Sequence, residues 1–340
     1  MSVIPKLRIG ILGAANIARQ FTAAVKPTPY GEIAVVASRS EATAAAFAAE
    51  CGIPRHLGSY EALLEDASID TVYIPLPNSL HAEWAIKAAK AGKHVLCEKP
   101  LTLGLADARA MFQAARAAGV MLLEAYPYWF QPQTRDMLTL IMDGSIGRVR
   151  TVTASFGFTI LKPDGNIRMN PQVGGGALLD AGSYPLSLIR LAIDARPVRV
   201  VAHPQWADTG VDISMMATLF YADGRSAQMS CAMNVANHRR AVIMGTQGTI
   251  ETEYLNHTTR EVPSQLRVRR GIANTIPFEA IDSAMGSGFA FCAESFAKIV
   301  AARDVEAIER AARASCDIAA TLEAIAKSAR SGQPEAVAQD

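Results

Sequence analysis

The stretch LRIGILGAANIA, residues 7–18, decides the fold. Leu7 to Leu12 is a short, nearly continuous apolar run of the kind that forms a strand buried on both faces. It runs directly into Gly13-Ala14-Ala15-Asn16-Ile17-Ala18, which matches G-x-A-x-x-A, a variant of the dinucleotide fingerprint G-x-G-x-x-G/A. Gly13 makes the tight turn, and Ala15 still permits the backbone to approach a pyrophosphate. Ala18 is small enough for helix–strand packing. The amides of Asn16 and Ile17 open the helix end that faces the phosphates. An ordinary tight βα turn has the same local pattern, so the surroundings must decide.

They are of the right kind. EIAVVAS (32–38), TVYIPLP (71–77), HVLCEK (94–99) and VMLLEAY (120–126) read as buried strands. Between them, EATAAAFAAECG (41–52), SYEALLED (59–66), NSLHAEWAIKAAKAGK (78–93) and ADARAMFQAARAAG (106–119) read as helices, with Asn78 as an expected N-cap. Such alternation predicts an α/β fold: a doubly wound parallel sheet over residues 1–125. From 126 the texture changes. Helices over 131–144 and 177–193 are followed by strand-like runs between 197 and 270, broken by Asp223-Gly224 and Gln247-Gly248. A second domain over 126–332 is therefore expected to be α+β, with a large open, mostly antiparallel sheet and a helical end. The tail after Gly332 reads as frayed.

At 340 residues, two domains are expected at roughly 100–200 residues each. Half the residues are hydrophobic, 19% are charged and the net charge is +1, with no basic stripe. Disorder and a nucleic-acid partner are therefore not expected. The N-terminal MSVIPKL lacks a leader pattern, and no apolar run approaches the ~18 residues of a membrane helix, so a cytoplasmic chain with no membrane partner is expected. Five scattered cysteines with no CxxC, and six histidines with no HExxH, predict neither disulfides nor a metal.

The second strand selects the cofactor. NAD sites place an acid near its end to hold the ribose 2′-hydroxyl. This chain has Ser38-Arg39-Ser40 there. Arg39 would bind a 2′-phosphate, with hydrogen bonds from Ser38 and Ser40, so NADP(H) is expected. Pro75, Leu76 and Asn78 follow one strand, and Glu98 and Lys99 follow the next, at the carboxyl ends where open α/β sheets bind ligands. His81, one turn into its helix, is either a partly exposed helix histidine or a neighbour of the nicotinamide ribose. Asp180 and Tyr184, four residues apart, share a helical face, as a buried pair or as chemistry.

Taken together, GILGAANIA, PLPNSLHAEWA, EKPL and GGGALLDAGSYPL resemble the glucose–fructose oxidoreductase/inositol dehydrogenase (Gfo/Idh/MocA) family, from residue 7 to beyond 300. Within it the chain looks most like the branch of dimeric dihydrodiol dehydrogenase and NADP-dependent D-xylose dehydrogenase. The resemblance implies a Rossmann domain and a C-terminal domain whose sheet supports homodimers or homotetramers. It implies Lys99, Asp180 and Tyr184 as the catalytic group. Tyr184 would exchange the proton, Lys99 would favour its loss, and Asp180 would hold Lys99. EAYPYWFQPQ (124–133) departs from the branch after Ala125; its Tyr126, Tyr128, Trp129 and Phe130 form an expected aromatic wall, and Tyr126, Tyr128, Phe130 and Phe158 are the expected contacts of a carbohydrate-like substrate. The expectation is hydride transfer between nicotinamide and a sugar, cyclic polyol or dihydrodiol carbon. Two alternatives stay open: an NADPH-dependent keto-sugar or anhydro-sugar reductase, and a non-catalytic NADP-binding sensor.

Overall fold

The computed structural model describes residue 4 and residues 6–339. Part of the N-terminal stretch read for a leader lies outside the described residues. The chain divides into two compact units. The first comprises residues up to 102, 106–127 and 287–315; the second comprises 103–105, 128–286 and 316 onward.

The first unit is built on six strands: β1 (Leu7–Leu12), β2 (Gly31–Ala37), β3 (His56–Leu57), β4 (Thr71–Ile74), β5 (His94–Glu98) and β6 (Leu122–Ala125). Their order is β3-β2-β1-β4-β5-β6 and every pair is parallel. This is the doubly wound dinucleotide-binding order, with its crevice where the winding reverses between β1 and β4. The strands are mostly apolar because helices cover both faces; all of β4 and β6 is buried. The crossover helices are α1 (Asn16–Val25), α2 (Glu41–Cys51), α3 (Tyr60–Glu65), α4 (His81–Lys90) and α5 (Leu105–Ala118). Ser40 caps α2 and Ser59 caps α3 through their side-chain oxygens. Asn78 is not the cap of α4, contrary to expectation. It opens a 3-10 turn over 78–80, whose own backbone bonds lead into the helix after Leu80.

Helix α8 (Gly288–Ala302), distant in sequence, also belongs to this unit. Phe289 meets the edge of Phe21 at 5.6 Å, and Phe21 stacks on Tyr73 at 3.9 Å. Aromatic pairs of this geometry contribute about 0.5–1.5 kcal/mol beyond burial.

The second unit holds a nine-stranded sheet. Its strands are β7 (Val149–Thr159), β8 (Arg199–Trp206), β9 (Asp212–Phe220), β10 (Ser226–Ala232), β11 (Asn234–Gly245), β12 (Gly248–Thr252), β13 (Leu266–Arg270), β14 (Glu279–Ala280) and β15 (Glu335–Ala336). The order is β14-β13-β12-β11-β7-β10-β9-β8-β15, antiparallel throughout except for β7 with β10. The turns at Asp223-Gly224 and Gln247-Gly248 join β9 to β10 and β11 to β12, as the sequence predicts. Helices α6 (Pro132–Met142) and α7 (Ser183–Ile193) belong here, as does the C-terminal part of α9 (Val305–Ser331). The tail is a correction: it is not frayed. It adds β15 to the edge of β8, because Val337 donates to the Val198 carbonyl at 3.0 Å and Arg196 to the Ala338 carbonyl at 2.8 Å.

Among the described residues, no helix is long and apolar enough to cross a membrane, and no group of three or more His, Cys, Asp or Glu side chains could hold a metal ion.

Candidate functional site

In the first unit, the expected cofactor residues collect at the carboxyl edge of the parallel sheet because each follows a strand. Gly13 ends β1 with φ +115°, and a Cβ there would stand 3.0 Å from Leu76 Cδ2. Only glycine fits both the backbone and the space, and the gap it leaves is what a pyrophosphate needs. Ala15 and Ile17 are partly exposed and Asn16 is exposed at the start of α1. At the end of β2, Ser38 is buried and its Oγ accepts the Ser40 amide at 3.5 Å, while Ser40 caps α2. Arg39 is exposed and hydrogen-bonds the Tyr60 hydroxyl. Burial pushes the Tyr60 phenol up, and the Arg39 charge pulls it back down. No acid precedes Arg39 at this strand end, and Glu41, at the start of α2, lies 3.1 Å from His56 Nε2, so the residues present fit NADP(H).

Pro75 and Leu76 are buried where β4 ends. His81 is fully buried: Nε2 lies 2.8 Å from the Leu76 carbonyl and Nδ1 2.9 Å from the Pro100 carbonyl. Burial lowers its basicity, so the ring is neutral and its single N–H serves one of the two carbonyls at a time. It therefore braces the turns after β4 and β5 against each other. Glu98 is buried and accepts the Tyr73 hydroxyl at 2.6 Å; burial, then the neighbouring Glu98 charge, hold the Tyr73 proton in place as donor. Lys99 follows, partly exposed, and its bond to Pro100 is cis.

In the second unit, the segment 174–193 is shaped before it reaches Tyr184. Gly176, at φ +111°, faces Asp212, which leaves no room for a side chain. The Asp212 carboxylate accepts the Leu178 amide at 2.6 Å, and burial pushes its titration up to about 6. A π-helical turn over 178–182 then leads into α7. Gly182 lets this turn lie against the sheet, since a Cβ there would come within 2.8 Å of Cys231 Sγ. Asp180 accepts Arg168 Nε at 2.6 Å. The Arg168 guanidinium also lies 5.8 Å from the Phe158 ring centre.

Tyr184 is buried in an aromatic and cationic setting. Phe156 meets it edge-on at 5.3 Å, Tyr128 is tilted at 6.0 Å, and the Arg239 guanidinium lies 4.3 Å from its ring centre. Arg239 donates to Asn256 Oδ1 at 3.0 Å, and Asn256 Nδ2 donates to the Tyr184 hydroxyl oxygen at 3.0 Å. Because arginine only donates, it fixes the amide with its N–H side on Tyr184. The hydroxyl oxygen thus accepts an amide N–H while a guanidinium lies over the ring, an arrangement that holds the phenol in one orientation. Tyr126 and Tyr128 are fully buried with their hydroxyls engaged, by Glu124 in the first case and by Ser187 (2.6 Å) and Trp129 (2.9 Å) in the second. Phe130 and Phe158 are partly exposed.

Arg168, Asp212, Arg239 and Asn256 carry no sequence signal of their own. Each meets its partner only after folding; Asn256 reaches Tyr184 across 72 residues. Lys99 belongs to the first unit, and Asp180 and Tyr184 belong to the second.

Residues 7–126 match the model of an oxidoreductase family with an NAD-binding Rossmann fold, and residues 134–251 match the GFO/IDH/MocA C-terminal domain. The chain belongs to the GFO/IDH/MocA oxidoreductase family. It is 36% identical over 330 residues to a D-xylose 1-dehydrogenase (NADP(+)) of Haloferax volcanii, covering 96% of this chain and 98% of that protein. It is 36% identical over 248 residues to a trans-1,2-dihydrobenzene-1,2-diol dehydrogenase of Danio rerio, covering 72% of this chain and 74% of that one. Among solved structures, it matches a 3-ketoreductase from Actinomadura kijaniata, in complex with NADP and TDP-benzene, with a TM-score of 0.83. That likeness has 31% identity and covers 95% of this chain and 98% of that one. The family accounts for the six-stranded parallel sheet and the larger, mostly antiparallel one.

Proposed function

We propose that the chain is an NADP(H)-dependent oxidoreductase acting on a CH–OH or carbonyl carbon of a sugar or related polyol, with Tyr184, Lys99 and Asp180 as its catalytic group. One observation carries the chemistry: a buried tyrosine whose oxygen accepts an amide hydrogen bond beneath a guanidinium, a setting that suits it to exchange a proton. The nicotinamide, when bound, supplies or accepts the hydride.

This chain's own residues do the rest. Gly13 and the amides at the start of α1 hold the pyrophosphate. Arg39 holds the 2′-phosphate, helped by the hydroxyls of Ser38 and Ser40. Tyr184 takes the substrate hydroxyl proton in oxidation and returns it to the developing alkoxide in reduction. Asn256 and Arg239 hold the oxygen and ring of Tyr184 in place for that exchange. Lys99 adds positive charge at the reacting oxygen. Asp180, paired with Arg168, sets the charge balance at the start of the same helix. Phe130 and Phe158, being partly exposed, offer apolar surface to a sugar ring face.

A second reading is reduction of a keto sugar by NADPH. It uses the same residues in reverse, and it is supported by the relatives that are dTDP-sugar 3-reductases, one of them 40% identical over 248 residues. The experiment is a two-way panel with purified protein: NADP+ reduction on D-xylose, other aldoses, inositols and trans-dihydrodiols, and NADPH oxidation on keto sugars. Turnover with neither panel sinks the proposal. Turnover on the second panel alone selects the reductase.

A further inference from the structure

Glu124, the third residue of β6, is 1% exposed and lies outside the catalytic group. Its carboxylate holds a single place in the fold. Oε1 accepts the Leu101 amide at 2.8 Å, and Oε2 accepts the Ser315 hydroxyl at 2.6 Å. The Leu101 amide is the N–H end of the peptide whose carbonyl end, at Pro100, faces His81 Nδ1 at 2.9 Å. One peptide plane, two residues beyond β5, is therefore gripped at both ends by buried titratable side chains. Lys99 is joined to that plane through the Pro100 ring.

The groups facing Glu124 come from every side. Tyr126 hydrogen-bonds it from the continuation of its own strand, and Lys99 presents its charge from the gripped turn. Cys97, on the paired strand β5, feels both Glu124 and Glu98, and burial keeps its thiol protonated. His81 lies across the peptide and is neutral through burial. Burial pushes the Glu124 carboxyl up to about 7, while Ser315, the Leu101 amide, Tyr126 and Lys99 each pull it down. The carboxyl thus changes charge close to neutral pH.

We propose that Glu124 is a positioning residue for Lys99: in its ionised form it fixes the Pro100–Leu101 peptide and so aims Lys99, and on taking up a proton it weakens that hold. The physical step is small. A charge-assisted N–H···O⁻ bond becomes a neutral one of roughly half the strength, and the attraction to the Lys99 ammonium is lost. The proposal rests on Lys99 acting in the reaction, and its test separates the two.

The test uses the full chain. NADPH affinity is measured by nicotinamide fluorescence, and kcat with NADP+ and D-xylose, both between about pH 5.5 and pH 8.5 in the range where burial places this titration. Wild type is expected to lose about fivefold in affinity or kcat as pH falls through the Glu124 titration, the effect of weakening one charge-assisted bond. Glu124→Gln fits the site: its oxygen still accepts from Leu101 and its amide can donate to Ser315. It should be flat across this range, at the wild-type acid-side level. Ser315→Ala keeps the carboxyl but removes a donor, so its midpoint should move to higher pH, a shift that general structural damage does not produce. An acid limb unchanged in Glu124→Gln overturns the proposal, as does wild-type affinity and kcat in that variant at the alkaline end. Lys99→Ala probes the underlying reading. Full activity there refutes Lys99, whereas loss there together with a wild-type limb in Glu124→Gln refutes only Glu124. If D-xylose is not turned over, the fluorescence titration decides alone.

Discussion

Replacing Tyr184 by phenylalanine removes one oxygen and leaves the ring. The ring keeps its edge contact with Phe156 at 5.3 Å and its place under Arg239 at 4.3 Å, so the packing of α7 on the sheet is preserved. The structural loss includes the hydrogen bond from Asn256 Nδ2, worth about 1 kcal/mol. The chemical loss is larger. Positioned proton exchange contributes roughly 10²–10⁴ in rate, which corresponds to about 3–5 kcal/mol of barrier. The two losses are well separated in size, so two measurements on one protein distinguish them. Urea unfolding should move by no more than about 1 kcal/mol, and NADPH fluorescence should report unchanged binding, because the proposed cofactor contacts at Gly13, Ser38, Arg39 and Ser40 do not include Tyr184. Steady-state turnover on the best substrate of the panel should fall at least a hundredfold, at the lower bound of the range for lost acid–base catalysis. Turnover within about tenfold of wild type, with NADPH still bound, would refute the assignment of the proton to this hydroxyl. Asn256→Ala supplies a graded control. It keeps the hydroxyl but removes its donor, and should cost roughly tenfold, less than removal of a full oxyanion donor.

Three further predictions follow from single contacts. Arg39→Ala should raise KM for NADP+ roughly 10–100-fold and leave KM for NAD+ unchanged, because one charged contact to the 2′-phosphate is lost; an equal change for both cofactors would contradict it. Glu124→Gln should be more stable than wild type at alkaline pH. The folded carboxyl titrates at about 7 against an ordinary 4.5, so below 4.5 both states are protonated and the penalty is absent. It grows as pH rises through that window and is complete above 7, reaching about 3 kcal/mol, and a melting-temperature difference constant from pH 5 to pH 8 would argue against it. Asp317→Ala should cost about 3–5 kcal/mol in urea unfolding, because the Asp317 carboxylate lies between Arg190 Nε (2.5 Å) and Arg196 Nε (2.6 Å) with all three side chains nearly buried. A loss below about 1 kcal/mol would mean that water already screens the pair.

The parallel sheet is legible in the sequence because its signals are local. A strand that ends in Gly13, and apolar runs closed by Pro75 or by Glu98-Lys99, state their type within a few residues. What the sequence hides is set by partners far along the chain. Nothing near Glu124 announces Ser315 as its donor, and Arg239, beside Arg240 in a strand pattern, reads as a solvated face until three aromatic rings close around it. Asn78 misleads because a cap and a 3-10 turn start with the same residue types. His81 hides for a different reason: helical periodicity gives the side of α4 on which it stands, but not the two carbonyls that surround it. The tail misleads because Gly332 and the residues after it have a loop's composition, whereas their place in the sheet comes from the backbone of β8.

That tail has a practical consequence for handling the protein. Both outermost strands of the nine-stranded sheet are two residues long, β14 at one rim and β15 at the other. A long open rim presents unpaired amides and carbonyls to any other extended chain, and very short outer strands blunt that invitation. Trimming the chain at Gly332 would strip the cover from β8 and leave Arg199 and Val200 as a sticky border. Expression designs should therefore keep residues 333–339 and place any affinity handle at the other terminus.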